Sequence, residues 1–269
     1  MLEKAAQIGR QAALTAGAIL RKNYLKPHQV TLKGAIDPVT ETDLQSQETI
    51  IALIRQAFPD HDFLAEEERV GQGGANLGAG FKPAPTPYRW IIDPLDGTVN
   101  FAHGFPMFCV SIAFEAAGVL EYGVICDPMR DELFEAIRGR GATLNGQPIK
   151  VSTTERLDRA LLATGFPYDI RERLPETLAR LARILGVAQG VRRAGSAALD
   201  MAYVACGRFD GFWEENLKPW DTAAGGLLIS EAGGHITNFD GGAYKLKSPN
   251  VVASNRILHK ILLHHLKES

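Results

Sequence analysis

Apolar positions recur along this chain with two periods. From Leu2 to Leu25, Ala5, Ile8, Ala12 and Ile19 fall on one stripe at helical spacing, which predicts an amphipathic helix. Lys33-Gly34-Ala35-Ile36-Asp37-Pro38 reads as a loop from its turn residues. Thr42-Asp43-Leu44-Gln45 has the form of a capping box, opening a second helix that runs to about Phe58. Pro59-Asp60-His61-Asp62 breaks that helix, and Phe63-Leu64-Ala65 is a short strand leading into Glu66-Glu67-Glu68. After the Gly- and Pro-rich stretch from Gly71 to Pro87, read as a loop, Trp90-Ile91-Ile92 is a strand ending in Asp93. Phe108 to Phe114, Val119 to Cys126 and Glu132 to Ile137 follow as strands, and Asn145-Gly146 signals a hairpin turn.

From about residue 155 strands and helices alternate. Leu161 to Thr164, Phe209 to Trp213 and Val251 to Ala253 read as strands. Pro175 to Leu185, Ser196 to Cys206, Trp220 to Ala232 and a terminal segment from about Asn255 read as helices. The expected organisation is an antiparallel-rich α+β part over residues 1–142 and an α/β part over 143–269.

Composition narrows the function classes. The chain has 269 residues, 29 basic against 31 acidic side chains and a formal net charge of −2. That balance gives no reason to expect steering towards nucleic acid or an acidic membrane. No apolar run reaches bilayer length and no signal core opens the chain, so a cytoplasmic protein is expected. Cys109, Cys126 and Cys206 are far apart and lack CxxC spacing, which argues for reduced thiols rather than zinc or redox chemistry.

The chemistry concentrates at Asp93-Pro94-Leu95-Asp96-Gly97-Thr98. A strand delivers Asp93, Pro94 restrains the backbone, and two carboxylates three residues apart can converge on one point. The amides of Gly97 and Thr98 follow and can cradle an anion. Carboxylates beside an anion cradle need cations between them, and hard oxygen ligands without Cys or clustered His favour Mg²⁺ over zinc. An ordinary Asp-Pro-x-Asp-Gly turn is the plain alternative, since these residues favour turns anyway. Glu66-Glu67-Glu68 can bring a glutamate to the same rim, and Trp220-Asp221 opens a helix where an acid also suits the dipole.

Taken together, these segments resemble the inositol monophosphatase family. The matching stretches are Asp37-Pro38-Val39-Thr40-Glu41-Thr42-Asp43, Glu66-Glu67, Trp90 to Phe101, and Trp220-Asp221-Thr222-Ala223-Ala224-Gly225-Gly226, in the family's order. Arg192-Arg193-Ala194-Gly195-Ser196-Ala197-Ala198-Leu199-Asp200 is similar to the bacterial inositol-1-monophosphatase branch. The resemblance implies a layered αβαβα fold, a homodimer, and a Mg²⁺-dependent phosphatase with two or three ions per site. Glu66, Asp93, the carbonyl of Leu95, Asp96 and Asp221 would hold the metals. Glu66 and Thr98 would orient and deprotonate the attacking water, with Asp43 behind Thr98. Leu95, Asp96, Gly97, Thr98 and Asp221 would surround the phosphate. Glu214 and the backbone near Ser196 and Ala197 would meet polyol hydroxyls, and Lys33 and Asp37 would lie over the site.

Arg192 and Arg193 are candidates to reach a substrate phosphate or a subunit interface, Arg192 being taken as the substrate contact, with a surface ion pair as the plain alternative. His103 is read as a structural or surface histidine, His259, His264 and His265 as a solvated helix face, and Trp213 and Trp220 as core aromatics that frame the site. The expected reaction is hydrolysis of myo-inositol 1-phosphate. Fructose 1,6-bisphosphate, histidinol phosphate or a 3′-phosphonucleotide are the alternative substrates. A regulatory factor for RNA or transcription machinery on the same fold is the alternative of another class.

Overall fold

A computed structural model describes residues 1–28, 30–32, 38–67, 86–167 and 169–267 of the chain. Helix α1 (Leu2–Asn23) is followed by the short antiparallel ribbon of β1 (Val30–Leu32) and β2 (Pro38–Thr40), and then by α2 (Glu41–Ala57). The cap of α2 sits two positions earlier than its sequence suggests. Thr40, not Thr42, is the N-cap, and Asp43 closes the box by accepting from the Thr40 amide at 2.9 Å. Thr42 is buried, its amide donating to the Thr40 hydroxyl at 3.2 Å.

The first sheet has seven strands in sequence order: β3 (Asp62–Ala65), β4 (Tyr88–Asp96), β5 (Cys109–Ala116), β6 (Val119–Asp127), β7 (Glu132–Ile137), β8 (Gly141–Leu144) and β9 (Gln147–Ile149). Apart from the parallel β3–β4 pair it is antiparallel, and it runs past residue 142 to Ile149. The β8–β9 turn is the expected Asn145-Gly146, with both residues at positive φ as a tight hairpin demands. Helix α3 (Thr98–Ala102) follows β4 directly.

The second sheet is built from β10 (Leu161–Thr164), β11 (Gly190–Arg192), β12 (Gly211–Glu215), β13 (His235–Thr237) and β14 (Asn250–Ser254), in spatial order β11-β10-β12-β14-β13. Helices α4 (Leu174–Leu185), α5 (Ala197–Ala205), α6 (Pro219–Glu231) and α7 (His259–Lys267) complete the chain.

Period-two alternation sorts the side chains into three cores. Trp90, Ile92, Ile112, Phe114 and Val124 pack under α1 and α2, while Ile91, Ala113, Ile125 and Phe134 face the opposite way. That opposite face meets α5 and α6, which are apolar nearly all round because a second sheet covers their far side. Phe212, Val251 and Ala253 close this middle core, and Leu162, Trp213 and Val252 point outward to α4 and α7. The result is the expected αβαβα layering. Trp213 thus lies in the outer core instead of framing the site, and its neighbour Glu214 faces inward.

Two details of the last segment differ from expectation. Asn255 does not open a helix; its Oδ1 accepts from the Leu258 amide at 2.8 Å, and α7 begins at His259. His259 is buried, not solvated, with its ring nitrogens on Thr237 Oγ1 and Ser254 Oγ, both at 2.9 Å. Burial and the neighbouring His235 push its pKa down to about 4. No helix among the described residues is long and apolar enough to cross a membrane.

Candidate active site

Strand β4 does not stop at Asp93 but continues through Asp96. Asp93 pairs with Ser111 and Asp96 with Cys109, so three steps on β4 match two on β5. That extra residue is a β-bulge, and it decides the chemistry. In a regular strand residues three apart face opposite sides; one added residue returns Asp96 to the side of Asp93. Pro94 is tolerated there because the ladder is already interrupted. Its carbonyl takes the Ser46 hydroxyl at 2.8 Å, and the Leu95 amide donates to Asp93 Oδ1 at 3.1 Å.

Gly97 follows at φ +98°, in the left-handed region, where a Cβ would stand 2.7 Å from the Met107 carbonyl oxygen. The turn brings Thr98 back over the strand end. Its hydroxyl lies 3.0 Å from both Asp43 Oδ1 and the Leu95 carbonyl. Asp43 is fixed from behind by Thr40 and is fully buried, which pushes its pKa up to about 6.

The remaining acids come from other layers. Glu66 extends the β3–β4 pairing by donating its amide to the Ile92 carbonyl at 3.1 Å. Gln47 on α2 grips the next residue from both sides, through the amide and the carbonyl of Glu67. Asp221 sits in the first turn of α6, accepting from the Lys218 amide at 2.7 Å. Asp96 Oδ2 accepts from Ser196 Oγ at 2.6 Å and from the Ala198 amide at 2.7 Å. The N-terminus of α5 is therefore occupied by Asp96, and the Ser196 hydroxyl is committed to that carboxylate.

Burial first, and then mutual repulsion, raise the pKa values in this cluster. Asp93 is pushed well up, with Glu66, Asp96 and Asp221 all adding to desolvation. Asp221 rises well above the ordinary range for the same reasons, and Asp96 rises to about 6 despite its hydrogen bonds. Glu66 lies close enough to Asp93 to push its pKa up further. A divalent cation among these carboxylates would relieve their repulsion. The all-oxygen donor set fits Mg²⁺. Among the described residues no three His, Cys, Asp or Glu side chains stand together as a metal-holding group, so these carboxylates would have to draw together around an ion.

This electrostatics gives a pH expectation for the metal-free protein. The folded state holds protons on Asp43 and Asp96 up to about pH 6, whereas the unfolded chain releases them near pH 4. Their effect is to lower stability as pH rises across that window. In EDTA, thermal melts from these groups should fall between about pH 4.5 and 7, and the stabilisation by added Mg²⁺ should be larger at about pH 8 than at about pH 5.

On the far side of the site, Glu214 is buried on β12, its pKa raised well above the ordinary range by desolvation and by Asp200. Its carboxyl lies against Gly165, where any Cβ would collide with it. Asp200, absent from the expected site residues, is also buried. Arg192 is exposed at the end of edge strand β11 with its guanidinium on the Val191 carbonyl. The neighbouring Arg193 stacks on Phe166 and acts electrostatically on both Asp200 and Glu214. Ala197 is buried at the start of α5. Lys33, Asp37, Glu68 and positions 71–85 of the Gly/Pro-rich loop lie outside the described residues. His103 ends α3, and its ring is assigned no part in the cluster.

The inositol monophosphatase family model matches residues 1–269. Over 260 residues, 95% of this chain and 93% of the other, the sequence is 45% identical to the Nus factor SuhB of Pseudomonas aeruginosa. Over 257 residues, 95% and 86% of the two chains, it is 43% identical to the inositol-1-monophosphatase of Synechocystis sp.. The crystal structure of the extragenic suppressor protein suhB from Bartonella henselae superposes with a TM-score of 0.90 at 40% identity, covering 99% of each chain. A match along the whole length, with the layered fold and the bulged acidic strand in place, shows that this chain belongs to the inositol monophosphatase family.

Proposed function

We propose that this site hydrolyses the phosphate monoester of a small polyol, with myo-inositol 1-phosphate as preferred substrate and Mg²⁺ as cofactor. Family membership makes the chain a phosphoric monoester hydrolase; the substrate and the metal are the proposal's own content. The observation that carries it is the closely set group of acids around the β4 bulge, whose mutual repulsion bound cations would relieve. Glu66, Asp93, Asp96 and Asp221 bring four negative charges, and a phosphate monoester adds about two more at neutral pH. These carboxylates and the Leu95 carbonyl would hold two or three Mg²⁺ ions, whose positive charge would balance the phosphoryl group and lower the pKa of water.

The chain's own residues do the positioning. Thr98 donates its proton to Asp43, which leaves the lone pairs of Oγ1 facing the site to accept from a water. Glu66, recessed at the rim beside Asp93, takes the proton of that water as it attacks phosphorus. The amides of Gly97 and Thr98 would donate to the phosphate oxygens, in keeping with a loose transition state that mainly needs charge balance and alignment. Glu214 accepts from hydroxyls of the leaving alcohol. A homodimer in the cytoplasm fits the family reading.

A second reading follows from the relative named a Nus factor: this chain also acts as a regulatory partner in transcription. The two readings are compatible in one protein. The substrate assignment is checked by comparing kcat/KM for myo-inositol 1-phosphate, fructose 1,6-bisphosphate, histidinol phosphate and a 3′-phosphonucleotide. The expected order puts the inositol ester first. A faster reaction with another ester reassigns the substrate, and no reaction with any of them leaves the regulatory reading as the better one.

A further inference from the structure

Away from the acid cluster, a cavity of about 570 Å³ opens between the first sheet, α6 and the segment that joins β13 to β14. Among the described residues that line it, none belongs to the set Glu66, Asp93, Asp96 and Asp221. Its size suits a small ligand. The floor is apolar, made by Leu64, Ile91, Leu120, Leu227, Ile236 and Leu246. Leu64, Leu120, Ile236 and Leu246 are only partly buried against the middle core, so the fold leaves apolar surface facing this space.

A glycine keeps the space open. Helix α6 meets the cavity with Pro219, Thr222, Gly226 and Ser230, spaced three and four apart on one helix face. Glycine in a helix interior weakens the helix relative to alanine, so it needs a reason. Gly225 has one in packing, since a Cβ there would stand 2.7 Å from Met201 Cβ. Gly226 has no such neighbour: its Cβ would meet only Ile236 Cδ1, at 3.5 Å, an ordinary contact. What the missing side chain at Gly226 preserves is room in the cavity.

The mouth carries more positive than negative charge. Arg89, Arg138, Lys245 and Lys247 line it with a single acid, Glu115, although the whole chain has a formal charge of −2. Arg89 is answered by Asp62 at 3.3 Å and lies opposite Glu115 across the β4–β5 pair. The lysines are not answered. A turn in which the Ser248 amide donates to the Lys245 carbonyl at 2.8 Å presents Lys245 and Lys247, both exposed and without an ion-pair partner among the described residues. An apolar floor beneath unneutralised cations is complementary to a molecule that is apolar at one end and anionic at the other.

We infer that this cavity is a second ligand site, which takes a small amphipathic anion: an aromatic or aliphatic body on the apolar floor, with one carboxylate, sulfonate or phosphate at Lys245 and Lys247. The inference does not depend on the reading of the acid cluster, and its test uses no turnover.

The full chain in EDTA is titrated with 8-anilino-1-naphthalenesulfonate and with its neutral counterpart, N-phenyl-1-naphthylamine, followed by fluorescence. The expected result is saturable uptake of one sulfonate per chain, tighter than uptake of the neutral amine. Gly226→Leu should weaken the binding of both probes by about tenfold or more by filling the cavity, and should melt no lower than wild type. The double variant Lys245→Gln/Lys247→Gln should weaken the sulfonate about five- to tenfold and leave the amine unchanged. Both substitutions are on the surface, so this arm stands even if Gly226→Leu is not recovered folded. Sulfonate binding unaffected by either variant, or no tighter than that of the amine, overturns the inference. Displacement of the probe by inorganic phosphate with Mg²⁺ would put it in the active site, which also overturns the inference. So does probe affinity that falls as protein concentration rises, since a second copy of the chain would then be what covers the cavity.

Discussion

Asp93→Asn is expected to abolish turnover, lowering kcat/KM by roughly a thousandfold or more, the several kcal/mol that metal-borne charge stabilisation contributes. Asp93 is 2% exposed and stands among Glu66, Asp96 and Asp221, so its charge has almost no solvent to screen it. Asparagine keeps the shape and the Oδ1 that receives the Leu95 amide, so the bulge survives. The change removes one of the charges that hold the cation. It also removes a share of the repulsion that burdens the metal-free fold. The variant should therefore melt at or above the wild-type temperature in EDTA and gain less from Mg²⁺. Thermal melts with and without Mg²⁺, alongside phosphate release, separate this from simple unfolding. A variant that loses activity by unfolding would melt lower in both conditions.

Thr98→Ala is expected to leave metal binding intact and to lower kcat about 100- to 1000-fold, the range found for removing one well-placed polar group at a reacting centre. The Thr98 hydroxyl is the link between the buried Asp43 and the space above the bulge, 3.0 Å from Asp43 Oδ1. Alanine strands that carboxyl oxygen in a buried place, which costs about 1–3 kcal/mol of stability. It removes as well the acceptor for the incoming water. The Mg²⁺-dependent rise in melting temperature should stay close to wild type, which distinguishes this variant from Asp93→Asn. Loss of the Mg²⁺ effect in Thr98→Ala would mean that the hydroxyl organises the metal set and not the water.

Much of this arrangement was legible in the residues. Alternating apolar runs marked the central strands of both sheets, and the all-round apolar character of α5 and α6 belongs to a layer covered on both sides. The short strands were not legible. β1, β2, β11 and β13 are three residues each, too short for a period to show. The cap of α2 shifted because Thr40 and Thr42 both suit an N-cap, and only the tertiary position of Asp43 against Thr98 selects the first. His259 looked like part of a solvated face since its helix was started too early; packing between β13 and β14 gives it two hydroxyl partners.

The site divides in the same way. Acids on a distinctive motif were readable, but their convergence depends on a bulge that periodicity places nowhere. Pro94 inside an apolar strand was the available signal for it. Asp200 was missed because an acid in the first turn of a helix has an ordinary electrostatic reason to be there. Only its burial without a partner sets it apart. Arg192 and Arg193 are indistinguishable in sequence; β11 ends at Arg192, whose guanidinium lies on the Val191 carbonyl, and Arg193 just beyond it lies over Phe166.

The central claim is that the acids around the β4 bulge work only with a divalent cation among them. The direct measurement is phosphate release from myo-inositol 1-phosphate by EDTA-treated wild-type protein as Mg²⁺ is added back. No release before addition and a saturable recovery with Mg²⁺ is the expected result. Equal release in EDTA and in Mg²⁺ would contradict it.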